Sequence, residues 1–271
     1  MAEKTSSPTL KMARYQIILA YDGTGFFGSQ RQGTTRTVQA ELERALTRIG
    51  WAGRSIQLAG RTDSGVHASG QVAAFDLDWR HPLANLQRAV NANLPDDMAV
   101  HGLRLAPDGF HPRFDAVSRR YRYRLFCREE RDPLRERFAW RVFPTATHLD
   151  ELAGIWLGTH DFAAFGSPTT PRGSTVRTVL AAAWKRKGDE WIFEIEADAF
   201  LYRMVRRLVY VQVAVGQGRA AAEDLAKALE DDLRIRQPAR SRIPAGLALP
   251  NGLTLVEVKY NGLKRKRQNN A

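Results

Sequence analysis

Only one cysteine, Cys127, occurs in 271 residues. That lone thiol excludes an intrachain disulfide, a thiolate zinc cage and a cysteine-ligated iron–sulfur cluster, and it favours a reducing compartment. No stretch approaches the ~18 unbroken apolar residues of a membrane span, and the most apolar helical pattern carries Arg203, Arg206 and Arg207. Met1 to Met12 lack the apolar core of a secretory signal, so the expected location is the cytoplasm. Histidines 67, 81, 101, 111, 148 and 160 show no H-E-x-x-H or H-x-x-x-H spacing, and no metal site is expected. Acid is in short supply as well: 29 Asp and Glu face 41 Lys and Arg, leaving a formal net charge of +12. On a chain that is 44% apolar, and so able to fold, this excess implies an anionic partner, nucleic acid first. A basic surface serving only solubility is the plainer alternative.

Periodicity organises the middle of the chain. Tyr15 to Tyr21 reads as a strand, and Val38, Leu42, Ala45, Leu46 and Ile49 then fall at helical spacing between Thr37 and Gly50. Strands near 55–60 and 71–77, a helix entered through Pro82, and a strand near 98–105 complete a βαββαβ order. A second half opens where Tyr121, Tyr123 and Leu125 alternate with Arg120, Arg122 and Arg124. A helix bearing Leu149, Leu152, Trp156 and Leu157 is expected next, with Thr147 and Asp150 as its capping box. Strands near 177–186 and 190–198, helices near 201–215 and 222–230, and a last strand from Leu253 to Tyr260 follow. The expected class is α+β: two βαββαβ-like halves, residues 14–116 and 117–260, with antiparallel sheets joined around a central cleft and helices on the outer face. Polar, aperiodic tails are expected at 1–13 and 261–271, the latter basic.

Two stretches carry candidate chemistry. Gly23, Gly25 and Gly28 match the dinucleotide fingerprint G-x-G-x-x-G after a strand. A dinucleotide loop must open its helix within those glycines, yet Phe26 and Phe27 intervene and the next helix waits until Thr37, so no nucleotide cofactor is expected. The second stretch, Gly60-Arg61-Thr62-Asp63-Ser64-Gly65-Val66-His67-Ala68, sets a carboxylate beside an arginine between two strands. Asp-Ser-Gly is also ordinary turn chemistry. Ser64 lacks the G-x-S-x-G frame of a hydrolase nucleophile.

With this stretch stand Tyr21-Asp22-Gly23-Thr24, Gly28 and Gln30, the run Arg119 to Tyr123, Phe200 to Arg206, and Pro250 to Leu255. Together these blocks resemble the TruA family of tRNA pseudouridine synthases, in family order from about residue 15 to 260. Ser29 stands where the family usually has tryptophan, Ser64 where it has alanine, Arg203 where histidine is common and Arg207 where asparagine is common.

The resemblance implies conversion of uridine to pseudouridine at tRNA positions 38, 39 and 40, in the anticodon stem-loop, by a homodimer without cofactor. Asp63 matches the catalytic aspartate, either a nucleophile or the base that takes the 2′ proton, and Arg206 matches the arginine that partners it. Tyr121 matches the tyrosine that stacks on the target uracil and can later assist proton removal from C5, Leu253 an apolar wall of the base pocket, and Arg61 a cation beside the extruded nucleotide. Read without the resemblance, Arg206 is a surface arginine, Tyr121 a packed strand residue, and Arg61 one half of a salt bridge. The Arg120, Arg122, Arg124 strand face is expected to meet solvent or phosphate, and with the helix arginines Arg203 and Arg207 it is the candidate lining of an RNA groove. A non-catalytic RNA-binding protein or RNA chaperone is the alternative function, and it has no need of Asp63.

Overall fold

The computed structural model describes residues 12–230 and 243–261, so the two expected tails fall almost wholly outside the described residues. The first half has the expected order: β1 (Ala13–Tyr21), α1 (Val38–Thr47), β2 (Gln57–Leu58), β3 (His67–Leu77), α2 (Leu83–Asn93) and β4 (Met98–Leu105). Helix α1 starts where Thr37 caps it, its side chain accepting the Ala40 N–H, and the chain leaves it through Gly50 at φ +96°. Strand β3 runs four residues further toward the Asp63 loop than its apolar pattern indicates, because His67 to Gly70 pair as well.

The second half contains β5 (Ala116–Cys127), β6 (Trp140–Val142), β7 (Gly158–Asp161), β8 (Val176–Lys187), β9 (Glu190–Ala197), α3 (Met204–Gly216), α4 (Ala222–Glu230) and β10 (Leu253–Tyr260). The helix expected from Leu149 is instead two short 3-10 turns, Leu149–Glu151 and Ala153–Trp156. His148, at φ 53° with no capping side chain, opens the first turn, and the Thr147 hydroxyl bonds to Gly216 O rather than to its own turn. Leu149 and Trp156 are fully buried all the same, since residues spaced like these can share a face of tight turns as well as of a helix.

Strands of both halves form one ten-stranded sheet, ordered β4-β1-β3-β10-β5-β9-β8-β7, with β2 on β3 and β6 on β5. Most pairs are antiparallel; β10–β3 and β5–β6 are parallel. The last strand therefore lies between the halves, Thr254 opposite His67 on one side and Leu255 opposite Tyr121 on the other. This insertion brings the loop before β3, the start of β10 and the middle of β5 to one place. The sheet's apolar face packs beneath the helices, where Trp184 Nε1 donates to Gln212 Oε1 of α3 at 2.8 Å. Its other face carries polar and charged residues, Gln16, Arg104, Arg122, Glu194 and Lys259 among them.

Candidate active site

The Asp63 loop is held from three sides. Tyr21 Oη and Thr62 Oγ1 are 2.8 Å apart in the interior. Ser29 Oγ accepts the Thr62 N–H at 2.8 Å while the Ser29 N–H donates to Thr62 O at 3.1 Å. At the loop's base, Gln71 Nε2 donates to Gly60 O at 2.9 Å. The glycines that imitate a dinucleotide fingerprint serve this packing. A Cβ on Gly23 would sit 2.0 Å from Val66 O, and Gly28 holds φ +84° with Thr62 O 3.0 Å from the place of a Cβ.

His67, at the loop's end, is buried between β3 and β10. Its Nδ1 lies 2.9 Å from the Gly23 N, whose N–H it accepts in the neutral tautomer protonated at Nε2, and its Nε2 is 3.1 Å from Asn251 O. Burial is the strongest influence on the ring and lowers its pKa, while Asp22, 3.1 Å from Nδ1, pulls the other way.

Asp63 Oδ2 accepts a hydrogen bond from the Arg206 guanidinium at 2.7 Å. The side chains are 20% and 12% exposed, so the pair is shielded but open on one side. Arg206 lies in the first turn of α3, and its Nε donates to Ala248 O at 2.8 Å, which leaves the fork aimed at the carboxylate. Tyr121 projects from β5 into the same place and meets the Phe200 ring edge-on, centroids 5.1 Å apart. Burial pushes the Tyr121 phenol above its ordinary pKa, so the hydroxyl keeps its proton at neutral pH.

Asp63, Arg206, Tyr121, Leu253 and Arg61 all line a single cleft of about 960 Å³. Arg61 carries no ion pair among the described residues. The cleft also holds cations that sequence reasoning did not single out: Arg113, Arg119 and Arg177. Arg119 is bonded only to backbone carbonyls, those of Ala59, Arg113, Ala116 and Asp198, and so ties the aspartate loop to the start of β5. Its signal was present in the sequence, since strand alternation sets Arg119 on the side of Tyr121.

The same alternation corrects an expectation. Arg120, Arg122 and Arg124 lie on the far face of the sheet, and each is ion-paired, with Glu257, Glu194 and Glu190 at 2.5, 2.7 and 2.5 Å. Arg207 also leaves the cleft and donates to Pro244 O and Gly246 O. Arg203 lines the cleft as expected, its guanidinium 4.7 Å from the centre of the Tyr202 ring. Among the described residues there is no group of three His, Cys, Asp or Glu that could hold a metal ion, and no helix is long and apolar enough to cross a membrane.

Known proteins similar to this chain give the site its context. The sequence profile of a family described as tRNA pseudouridine synthase matches residues 17–115 and 153–261. A tRNA pseudouridine synthase A of Methylacidiphilum infernorum is 42% identical over 255 residues, covering 93% of this chain and 97% of that protein. Proteins of the same name from Chlorobaculum tepidum and Chloroflexus aurantiacus are 43% and 41% identical, covering 94% and 95% of this chain and 99% and 95% of their own lengths.

Proposed function

The chain belongs to the tRNA pseudouridine synthase family, and from that premise we propose that it isomerises uridine at positions 38, 39 and 40 of the tRNA anticodon stem-loop, with Asp63 as the nucleophile. The observation that carries this reading is the Asp63–Arg206 pair, 2.7 Å apart in a cleft beside the Tyr121 ring. The guanidinium takes one carboxylate oxygen and fixes the orientation of the other, which is free to attack carbon.

The steps balance within the substrate. Asp63 attacks C1′ of the ribose, and the C1′–N1 bond breaks, its electron pair leaving with the uracil. The freed base turns while Tyr121, Phe200 and Leu253 confine it, then C5 attacks C1′ and releases Asp63. The C5 proton is lost and N1 gains one, so substrate and product are isomers. The reaction is redox-neutral, and activity should persist in chelator without added nucleotide. Arg61, which lines the cleft, takes in this reading the space that the extruded nucleotide leaves in its stack. We assign the active form to a cytoplasmic homodimer that shares one tRNA.

Mapping pseudouridine in tRNA incubated with the purified protein tests the positions. Asp63→Asn is expected to abolish conversion and to leave tRNA affinity within a few-fold, because phosphate contacts dominate binding. Substantial turnover by this variant would overturn the assignment, and tight binding without turnover by the unaltered protein would favour an RNA-binding role.

A further inference from the structure

Two aromatic rings stand exposed on the cleft itself: Phe27, at 60% exposure, and Tyr202, at 48%. Neither is loose. Phe27 N–H donates to Arg36 O at 2.9 Å and Phe27 O accepts from Gln32 Nε2 at 3.2 Å. Tyr202 exchanges both backbone bonds with Ser167, and the next residue, Arg203, turns the chain at φ 62° into α3. The neighbours underline the choice. Phe26 is buried with Arg36 stacked on it and Leu201 is buried beneath α3, so at each point the chain sinks one apolar residue and presents the next.

The surroundings identify what such rings would hold. Arg61, Arg113, Arg119, Arg177 and Arg203 line the same cleft and make no ion pair with any carboxylate among the described residues. A groove of unneutralised cations with ordered aromatic faces matches an unpaired nucleic-acid strand, whose phosphates meet the cations and whose bases stack on the rings. Turning a nucleotide out toward Asp63 also unstacks its two neighbours, whose faces then need a new partner. Resting on the function proposed above, we infer that Phe27 and Tyr202 form stacking platforms for the bases that flank the target uridine. Tyr202 takes its base on the ring face that Arg203 leaves open. Phe27 takes the second base, its backbone carbonyl held by the Gln32 amide.

The test uses the full protein and anticodon stem-loop RNA carrying 2-aminopurine on one or the other side of the target uridine. Binding should quench each probe, and Phe27→Ala and Tyr202→Ala should each abolish the quench of one probe. Each should weaken affinity about ten-fold, within the range seen when a stacked aromatic is removed, and leave the salt dependence unchanged because no phosphate contact is lost. Phe27→Trp and Tyr202→Phe keep a ring and should restore both quench and affinity. Alanine variants that bind and quench like the unaltered protein would overturn the inference. So would a lowered salt slope, or aromatic replacements as defective as alanine, since either would mean a distorted lip. If the unaltered protein isomerises the stem-loop while its alanine variants do so undiminished, the platform alone fails. If it neither binds nor isomerises the RNA, the functional reading fails with it.

Discussion

Ser29 stands where a tryptophan is usual in the resemblance, yet the structure gives it a specific task. Its hydroxyl is the partner of the Thr62 N–H, one residue before Asp63, in a fully buried position. Ser29→Ala keeps the backbone bond to Thr62 O but strands that N–H, a loss worth ~1–3 kcal/mol. Chemical denaturation should register this destabilisation, and kcat should fall more than KM rises, because the loop that carries the proposed nucleophile loses one of its anchors. Unchanged kcat would show that the loop is held without it. Arg206 makes a sharper case, since one guanidinium grips both Ala248 O and Asp63. Arg206→Ala is expected to slow single-turnover conversion at saturating enzyme by far more than it weakens binding. Arg206→Lys keeps the charge and loses the fork, so it should recover only part of the rate. Equal loss of affinity with unimpaired chemistry in both variants would make Arg206 only another phosphate contact.

Among the elements, β10 decides whether the site exists, because it alone joins β3 to β5. His67 pins that junction, with Nε2–H on Asn251 O and Nδ1 on the Gly23 N–H. Burial depresses its pKa below that of an unfolded histidine, so the folded state resists a proton that the unfolded chain accepts. The sign follows: stability from this group is complete above about pH 6.5, the ordinary histidine value, and declines as pH falls below it. His67→Asn, whose amide can serve both bonds, should flatten the fall in unfolding free energy between about pH 7 and 5 without removing it, since His111 is depressed as well. An identical pH profile would refute the assignment. Much of this architecture was legible in the sequence. Alternation marked β5, the Thr37 cap marked α1, and the tyrosine side of β5 was separable from its arginine side. What escaped was non-local. Nothing in the Leu253 to Tyr260 pattern records that the strand will pair in parallel with β3, and helical spacing at Leu149 to Trp156 could not announce the left-handed turn at His148. The candidate site residues were legible through their motifs. The cations at 113 and 177 were not, because loop arginines have no period to betray their direction.

At the scale of the whole molecule, the net charge of +12 is unevenly spent. On the far face of the sheet Arg120, Arg122 and Arg124 are neutralised by Glu257, Glu194 and Glu190, and Lys259 by Glu196. Along the cleft Arg61, Arg113, Arg177 and Arg203 have no acid beside them among the described residues. An arginine already paired with a carboxylate must give up that partner before it can neutralise a phosphate, and exposed pairs of this kind contribute only ~0–1 kcal/mol to stability. Free cleft arginines, by contrast, each displace counterions from RNA, and every true phosphate contact adds roughly 0.7 to 0.9 to the slope of log affinity against log salt. Binding of the stem-loop should therefore weaken steeply with salt. Arg113→Ala or Arg177→Ala should lower that slope by about one phosphate's share, and Arg122→Ala should leave it unchanged. Titrations across a salt series with these three variants separate a cationic cleft from a uniformly basic surface. If Arg122→Ala lowers the slope as much as Arg113→Ala, RNA engages the far face too, and the cleft cannot be the whole of the binding surface.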